Sequence, residues 1–362
     1  MILVVFGTTG ELIKLAPVLL RLDRRGSRYV LATTAQQVEQ IPAFLEQFGL
    51  RQPDLWLARG AGGRDLRVNG DIPGWFGTVL RSYLRHRGAL RRTLLGGPAR
   101  PLVLVHGDTM TTVVGALIGR SLRVPVAHVE GGLRSSDLRH PFPEELNRRL
   151  ASALSRIDYA PGAWAASNLR GDVVDTGSNT IRDSLELVPA GEAPFALPEE
   201  PFGIVSLHRF ELLNNRRLLT ETLEPLADAA TRTPLLFVDH PVTAAAVDRF
   251  GLASLFDRSR FVRVPRLRFF DFVRIERRSA FLVTDSGGSQ EESYYLDLPC
   301  LVHRRKTERR EGLGENAVLS ELRVDVLQAF LADPSPYRRK TQLPSNSPSD
   351  VIVEDLGRRG FV

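Results

Sequence analysis

The sequence predicts an α/β protein with two doubly wound, Rossmann-like domains. Its 362 residues are more than one hydrophobic core usually serves, and this length favours two domains. Short apolar runs, of which residues 2–6 are the first, are typical of parallel strands buried on both faces. Several of these runs end in a turn rich in glycine or polar residues, and a segment with helical spacing follows. This repeated strand–turn–helix pattern indicates doubly wound sheets.

Composition excludes several classes of protein. Hydrophobic residues make up 43% and charged residues 25% of the chain, which indicates a folded globular protein. We expect no membrane partner, because no apolar run approaches the roughly 20 residues that span a bilayer and no basic leader opens the chain. The single cysteine, Cys300, excludes an internal disulfide and fits the cytoplasm, and the seven scattered histidines show no zinc-ligand spacing. The net charge of +6 comes from dispersed arginines without interleaved aromatics, so we expect no nucleic-acid partner.

The strand ends of the first domain supply candidate acids and bases. Its predicted strands cover residues 2–6, 29–33, 102–105 and 124–128. The last two are followed by Asp108 and Glu130, which we expect to face one crevice because ligands bind at the carboxyl ends of such strands. Burial raises a carboxyl pKa toward neutrality, so both are candidates for acid–base chemistry. Lys14, near the start of the helix predicted at 11–24, either reaches a ligand above the turn or is a solvated surface lysine.

A helix is predicted to begin at Pro143, which places Glu144 near its N-terminus. A carboxylate there faces the candidate site, complements the helix dipole, or pairs with Arg148 four residues on. The residues alone leave these alternatives open.

We place the domain boundary at Arg170, so that residues 1–170 form the first domain and 171–345 the second. A terminal helix within residues 346–362 is expected to pack back on the first domain. Predicted strands of the second domain begin at residues 173, 202, 235, 261, 281 and 299. His208 and His240 follow two of these strands, where a histidine either faces a ligand or is satisfied in the core.

The stretch TDSGGSQEE at residues 284–292 predicts an anion site at a strand-to-helix turn. Gly287 and Gly288 lack a Cβ and allow an anionic group to approach the backbone closely. The start of the following helix favours a negative charge, so a phosphate or pyrophosphate is the expected guest. Glu291 and Glu292 are predicted in the first helical turn, where they either accept hydrogen bonds from ribose hydroxyls or complement the helix dipole.

Seven motifs are distributed along nearly the whole chain: FGT at 6–8 with Glu11 and Lys14, VHGDT at 105–109, VPVAHVEGGLR at 124–134, PEELNR at 143–148, HR at 208–209, TDSGGSQEE at 284–292 and TER at 307–309. In order and spacing they resemble the motifs of the non-hydrolysing UDP-N-acetylglucosamine 2-epimerases. The resemblance implies a GT-B type fold, with the active site in the cleft between two Rossmann-like domains.

The resemblance also implies roles for particular residues. The catalytic set would be Asp108, Glu130, Glu144 and His208. In the second domain, Ser286, Gly287 and Gly288 would bind the pyrophosphate, with Arg309 near it, and Glu292 would hold the ribose. Further substrate contacts are expected from Lys14, Arg148, Arg209 and His240. No metal or cofactor is implied, and the partners would be a UDP-sugar and a second copy of the chain.

The implied reaction is epimerisation at C2 of a UDP-2-acetamido sugar, which converts UDP-N-acetylglucosamine to UDP-N-acetylmannosamine. A base removes the C2 proton while UDP leaves C1, and a 2-acetamidoglucal forms. UDP then returns to C1, and C2 is reprotonated from the opposite face. Because the C2 proton is not acidic, departure of the diphosphate has to lead, and preorganised donors would stabilise its developing charge.

The sequence departs from the family pattern around the sugar and the diphosphate. Thr9 and Gly10 stand where the family has Arg-Pro, and Phe210 replaces an arginine after His208-Arg209. These changes leave three alternatives open: a hydrolysing variant that releases UDP and a free N-acetylmannosamine-type sugar, a GT-B glycosyltransferase, and a sugar-nucleotide sensor without catalysis.

Overall fold

The chain forms two compact α/β units. The computed structural model describes residues 1–66, 69–135, 143–257 and 260–362. The first unit consists of Met1–Leu187 together with Pro344–Val362, and the second is the contiguous segment Val188–Leu343. Each unit has its own parallel sheet with helices connecting the strands, so the predicted α/β class with two Rossmann-like domains is confirmed.

In the described residues, the first sheet has seven strands in the order β3-β2-β1-β4-β5-β6-β7, and their pairings are parallel. The strands are β1 (Ile2–Phe6), β2 (Tyr29–Thr33), β3 (Leu55–Trp56), β4 (Leu102–His106), β5 (Val126–Val129), β6 (Ile157–Ala160) and β7 (Asp172–Asp175). Strand order reverses between β1 and β4, which makes this pair the topological switch point of the sheet.

The helices of the first unit are α1 (Thr9–Arg24), α2 (Ile41–Gln47), α3 (Ile72–Leu95), α4 (Met110–Leu122), α5 (Glu144–Leu154), α6 (Ala163–Ser167), α7 (Ile181–Glu186) and α14 (Pro348–Arg358). Capping boxes begin two of them, with Thr8 capping α1 and Thr109 capping α4. The buried side chains of α3, α4 and the central strands form one core, in which Trp75 donates to the Thr34 carbonyl at 2.9 Å. Trp75 therefore lies in α3, although the composition of residues 59–75, rich in glycine, arginine and aspartate, is typical of a loop.

The division between the units differs from the boundary predicted at Arg170. Strand β7 pairs with β6 in parallel register, from Ile157 with Asp172 to Ala160 with Asp175. The strand that was predicted to open the second domain is therefore the last strand of the first sheet. The chain leaves the first unit only after Leu187.

The terminal helix α14 packs against α1 and α7 in the first unit. Arg21 of α1 forms an ion pair with Asp350, and the Tyr159 hydroxyl of β6 donates to Asp355 at 2.9 Å. Arg359 binds both Asp172 and Asp355. These contacts hold α14 and Arg359 against β6 and β7.

In the described residues, the second sheet has six strands in the order β10-β9-β8-β11-β12-β13, again with parallel pairings. The strands are β8 (Gly203–Ser206), β9 (Leu235–Asp239), β10 (Phe261–Pro265), β11 (Phe281–Thr284), β12 (Cys300–Val302) and β13 (Ala317–Leu319). The helices are α8 (Phe210–Leu213), α9 (Arg216–Ala229), α10 (Pro241–Phe250), α11 (Phe269–Glu276), α12 (Gly287–Tyr295) and α13 (Val324–Ala332). Strand β13 and helix α13 were not predicted from the sequence. Short 3₁₀ turns cover Asn69–Asp71, Ala253–Asp257 and Ser335–Tyr337.

Candidate functional site

The carboxyl ends of the first sheet carry a buried ion pair between Lys14 and Glu130. Glu130 follows β5 directly and has a φ of 67°, a left-handed conformation that turns the chain at the strand end. Its carboxylate accepts hydrogen bonds from the Lys14 ammonium and from the Asn179 amide. Nε2 of His106 lies 4.0 Å from the same carboxylate. The structure thus joins two predicted site residues and adds Asn179 and His106, from the ends of β7 and β4.

A second buried carboxylate, that of Glu11, holds the turn between β1 and α1. It accepts hydrogen bonds from the backbone N–H groups of Gly7 at 2.8 Å and Thr8 at 2.9 Å, and from the Thr109 hydroxyl at 2.8 Å. Burial raises the pKa of Glu11 to about 7, and these hydrogen bonds oppose the rise. Because Thr109 caps α4, Glu11 connects the N-termini of two helices. Glu11 belongs to one of the seven motifs, but no role was predicted for it.

Asp108 and Arg148 form an ion pair that attaches α5 to the turn after β4. The Asn147 amide donates to the Asp108 backbone carbonyl at 2.9 Å, and the Arg148 guanidinium lies 3.6 Å from Glu145. The Asp108 side chain retains 22% exposure and that of Glu130 retains 3%. Asp108 is therefore the more accessible of these two predicted catalytic carboxylates.

The turn that carries Asp108 lies beside Glu130. Gly107 has a φ of 73°, and a Cβ at this position would lie 3.8 Å from Oε1 of Glu130. Nε2 of His128 is 2.7 Å from the Gly107 carbonyl oxygen, and this contact stabilises the turn. Glu144 is the first residue of α5 and is half-buried, at the helix end that the sequence predicted.

In the second unit, Asp285 connects the ends of β8 and β11. Its buried carboxylate accepts hydrogen bonds from the backbone N–H of His208 at 2.8 Å and from that of Arg209 at 2.8 Å. Burial raises the pKa of Asp285 to about 6, and the Arg209 and His208 amides oppose this rise. Asp285 is in the motif that the sequence singled out, but its role as the anchor of the His208-Arg209 turn was missed.

His208 and His240 lie side by side at these strand ends. Their ring centroids are 4.6 Å apart, and the Ser206 hydroxyl lies 3.2 Å from Nε2 of His240. Burial lowers the pKa of His208 to about 4 and that of His240 to about 3, and the nearby Arg266 acts in the same direction. Both imidazoles are therefore neutral at neutral pH. A neutral ring at this position donates or accepts a hydrogen bond without adding charge.

Ser286 caps α12, and its hydroxyl accepts a hydrogen bond from the Ser289 backbone N–H. A Cβ at Gly287 would lie 3.1 Å from the Glu308 carboxylate and 3.4 Å from Cγ of Arg309, so this glycine makes room for the segment that carries Arg309. The nearest heavy atom to a Cβ at Gly288 would be the Ser286 hydroxyl at 3.6 Å. Close approach of an anion to the backbone therefore remains a prediction for Gly288, whereas at Gly287 the absence of a Cβ is explained by the packing of Glu308 and Arg309.

Arg309 is buried and forms an ion pair with Glu291 at 2.8 Å. Glu291 and Glu292 lie in the second turn of α12, not in the first as predicted, because the helix begins at Gly287. Glu292 is close to the fully buried Glu276, whose pKa is raised well above its usual value by burial and by the Glu292 charge. Whether Glu292 binds a ribose stays a prediction.

Among the described residues, no group of three or more histidine, cysteine, aspartate or glutamate side chains is arranged to hold a metal ion. In the same part of the chain, none of the helices is both long enough and apolar enough to traverse a bilayer.

Comparison with known proteins identifies the family. The model of the UDP-N-acetylglucosamine 2-epimerase family matches residues 98–330. The UDP-N-acetylglucosamine 2-epimerase of Bacillus subtilis is 31% identical, over 98% of this chain and 94% of its own length. The UDP-2,3-diacetamido-2,3-dideoxy-D-glucuronate 2-epimerase of Pseudomonas aeruginosa is 28% identical, over 79% of this chain and 78% of its own. The chain therefore belongs to the UDP-N-acetylglucosamine 2-epimerase family, and it is an enzyme of the isomerase class.

The solved structures agree with this assignment. The UDP-N-acetylglucosamine 2-epimerase of Methanocaldococcus jannaschii, in complex with UDP-N-acetylglucosamine and UDP, matches with a TM-score of 0.79. It is 25% identical, and the match covers 99% of each chain. The GT-B fold class expected from the sequence motifs is thereby confirmed.

We predict that Lys14→Met lowers the free energy of unfolding by about 3 kcal/mol, because it leaves the buried Glu130 carboxylate without its cation. Lys14→Met combined with Glu130→Gln removes both charges and should return stability to within about 1 kcal/mol of wild type. Urea unfolding of the three proteins measures both effects. A single variant as stable as wild type, or a double variant less stable than the single one, would contradict the buried-pair account.

We predict that His208 and His240 contribute a part of the stability that rises with pH between about 4 and 6.5. In this range the unfolded histidines bind protons and the folded ones do not. Asp285 and Glu11 act in the opposite direction, because their folded pKa values of about 6 and about 7 lie above the usual 3.8 and 4.5. His208→Asn with His240→Asn should therefore make the slope of the urea midpoint against pH less positive than in wild type. His86→Asn, on α3, is the matched control, and an equal slope in the double variant would exclude the histidine pair as a cause.

Proposed function

We propose that this enzyme epimerises UDP-N-acetylglucosamine at C2 by eliminating UDP and adding it back. The observation that carries the proposal is the set of carboxylates at the carboxyl ends of β4 and β5 and at the start of α5, in a chain of this family. Asp108, Glu130 and Glu144 occupy these three positions. Both the Bacillus subtilis and the Methanocaldococcus jannaschii proteins bear the name of this activity. The P. aeruginosa relative acts on a different UDP-sugar, so the sugar itself is part of the proposal.

Proton transfer at C2 is assigned to the accessible carboxylates. Asp108 is partly exposed, whereas Glu130 is enclosed by Lys14 and Asn179. We therefore assign Asp108 as the first carboxylate to exchange a proton with the substrate, and Glu130 as the group that holds the strand ends in place. Glu144, half-buried at the start of α5, is the second candidate acid.

The second unit is proposed to bind the UDP portion. The N-terminus of α12, with Ser286 as its cap, provides donors and partial positive charge for a diphosphate. The side chain of Arg309 packs next to Gly287 and forms an ion pair with Glu291. It adds a cation to this end of the helix. The neutral rings of His208 and His240 are proposed to hydrogen-bond the substrate. These groups would stabilise the negative charge that develops as the C1–O bond breaks.

A hydrolysing variant is the second candidate, and the observation that favours it is at Thr9. The family has an arginine at this position, whereas the hydroxyl and N–H of Thr9 donate to the Gln37 side chain at 2.7 Å and 2.9 Å. One cation that would retain UDP is therefore replaced by a neutral, partly buried hydrogen-bonded pair. Weaker retention favours capture of the intermediate by water, which would release UDP and a free sugar.

The chain is further proposed to form a homodimer through α3. Phe76, Leu80 and Leu84 lie one helical turn apart, and their side chains are 46%, 47% and 59% exposed. A row of three large apolar side chains on one helix face is a feature of protein interfaces.

The first experiment is proton NMR of UDP-N-acetylglucosamine incubated with the enzyme in deuterated water. We expect a second UDP-linked sugar and deuterium at C2 in both sugars, because reprotonation takes its proton from solvent. Free UDP with a free reducing sugar would move the assignment to hydrolysis. An unchanged spectrum would contradict the choice of sugar.

Two variants test the division of labour. Asp108→Asn should lower turnover by at least about 100-fold, because it removes a proton-transfer group, and leave UDP affinity near wild type. Arg309→Gln should weaken UDP binding by about ten-fold while retaining a hydrogen bond to Glu291. Calorimetric titration with UDP measures affinity. Normal turnover in Asp108→Asn, or normal UDP binding in Arg309→Gln, would remove that residue from its assigned role.

Light scattering should give a mass of about twice the 40.2 kDa of one chain, because α3 would pair with its copy. Leu80→Glu with Leu84→Glu should give a monomer, since two charges cannot be buried there without partners. The matched control is Leu95→Glu, at the far end of α3 and 50% exposed. A monomeric wild type would contradict the proposal.

A further inference from the structure

An arginine-lined cavity lies at the amino ends of the strands of the first sheet, whereas Asp108 and Glu130 lie at the carboxyl ends. Its volume is about 730 Å³, which is in the range of small-ligand sites. Pro125, immediately before β5, and the first residues of β6 and β7, Ile157 and Asp172, are in its wall. The cavity is therefore at the amino ends of the strands and is separate from the candidate catalytic residues.

The cavity has an excess of positive charge. Five of its lining residues are arginines: Arg100, Arg120, Arg123, Arg156 and Arg359. The carboxylates beside them are Asp172, which lines the cavity, and Asp355, which binds Arg359. The C-termini of α4 and α14 also lie here, and each contributes roughly half a negative charge. These groups offset only part of the charge of the five arginines.

The arginines divide into fixed and available groups. Arg359 binds Asp172 and Asp355 through its guanidinium, and Arg100 lies over the Phe361 ring at 5.2 Å. The guanidinium groups of Arg120, Arg123 and Arg156, by contrast, make neither an ion pair nor a hydrogen bond with any residue that the structure describes. These three are exposed around the same cavity. Their donors are consequently available to a ligand.

We propose that this cavity binds a small multivalent anion of the diphosphate type. The planar fork of a guanidinium group matches two phosphate oxygens at once, and several forks around one cavity favour a ligand with several such oxygens. The aromatic residue of the cavity, Phe361, is 4% exposed and covered by Arg100. It gives a nucleobase no stacking surface, so the diphosphate is the recognised part of the ligand.

The test is calorimetric titration of the full-length enzyme with sodium pyrophosphate in the presence of saturating UDP, which occupies the proposed nucleotide site. We expect wild type to bind pyrophosphate, and Arg123→Gln with Arg156→Gln to bind it at least about ten-fold more weakly. The matched control is Arg81→Gln with Arg85→Gln, which removes two exposed arginines from α3. It should bind as wild type does. Because the variants are compared with each other, the result stands even if UDP does not bind.

Two further measurements make the outcome decisive. A thermal melt by circular dichroism verifies that each variant is folded. If the double variant Arg123→Gln, Arg156→Gln is not folded, Arg120→Gln is measured in its place. ADP is titrated as a second probe, and equal affinity for ADP and pyrophosphate identifies the diphosphate as the recognised group. Absence of pyrophosphate binding to wild type, equal loss in the control variant, or about ten-fold tighter binding of ADP would overturn the proposal.

Discussion

The carboxylate of Glu130 connects three segments of the first unit that are far apart in the sequence. Lys14 lies in the helix after β1, Glu130 in the turn after β5, and Asn179 in the turn after β7. Removal of a charged carboxylate from water costs several kcal/mol, and only good partners make such burial tolerable. These donors therefore determine where the strand ends lie, and the Asp108 turn takes its position beside them.

Each of the two units has a buried carboxylate that accepts hydrogen bonds at the same topological position. In the first, Glu11 accepts from the turn after β1 and from Thr109 after β4, the pair at which strand order reverses. In the second, Asp285 follows β11 and accepts from the turn after β8, which is the corresponding pair. In both units a buried acid joins the two turns that follow the strands at the switch point, the position at which ligands bind in such sheets.

The sequence predicts the strand ends well because apolar runs and polar turns are local features. It leaves Lys14 ambiguous, because the residue that decides its environment, Glu130, is 116 positions away. The boundary was placed too early because the short strand β7 (Asp172–Asp175) contains nothing that specifies which sheet it joins. The roles of Asn179 and Asp285 were missed for the same reason: each depends on a partner that only the folded chain brings near.

The return of α14 to the first unit makes the second unit an insertion within the first. Val188–Leu343 is one continuous stretch, whereas the first unit is assembled from two pieces of chain. During synthesis the second unit can complete its sheet as soon as its own residues have emerged, and domains generally fold in this way as units. The first unit lacks the contacts of Tyr159 and Arg21 with α14 until that helix has been synthesised. The unit that begins the sequence is thus the later of the two to have all its residues available for folding.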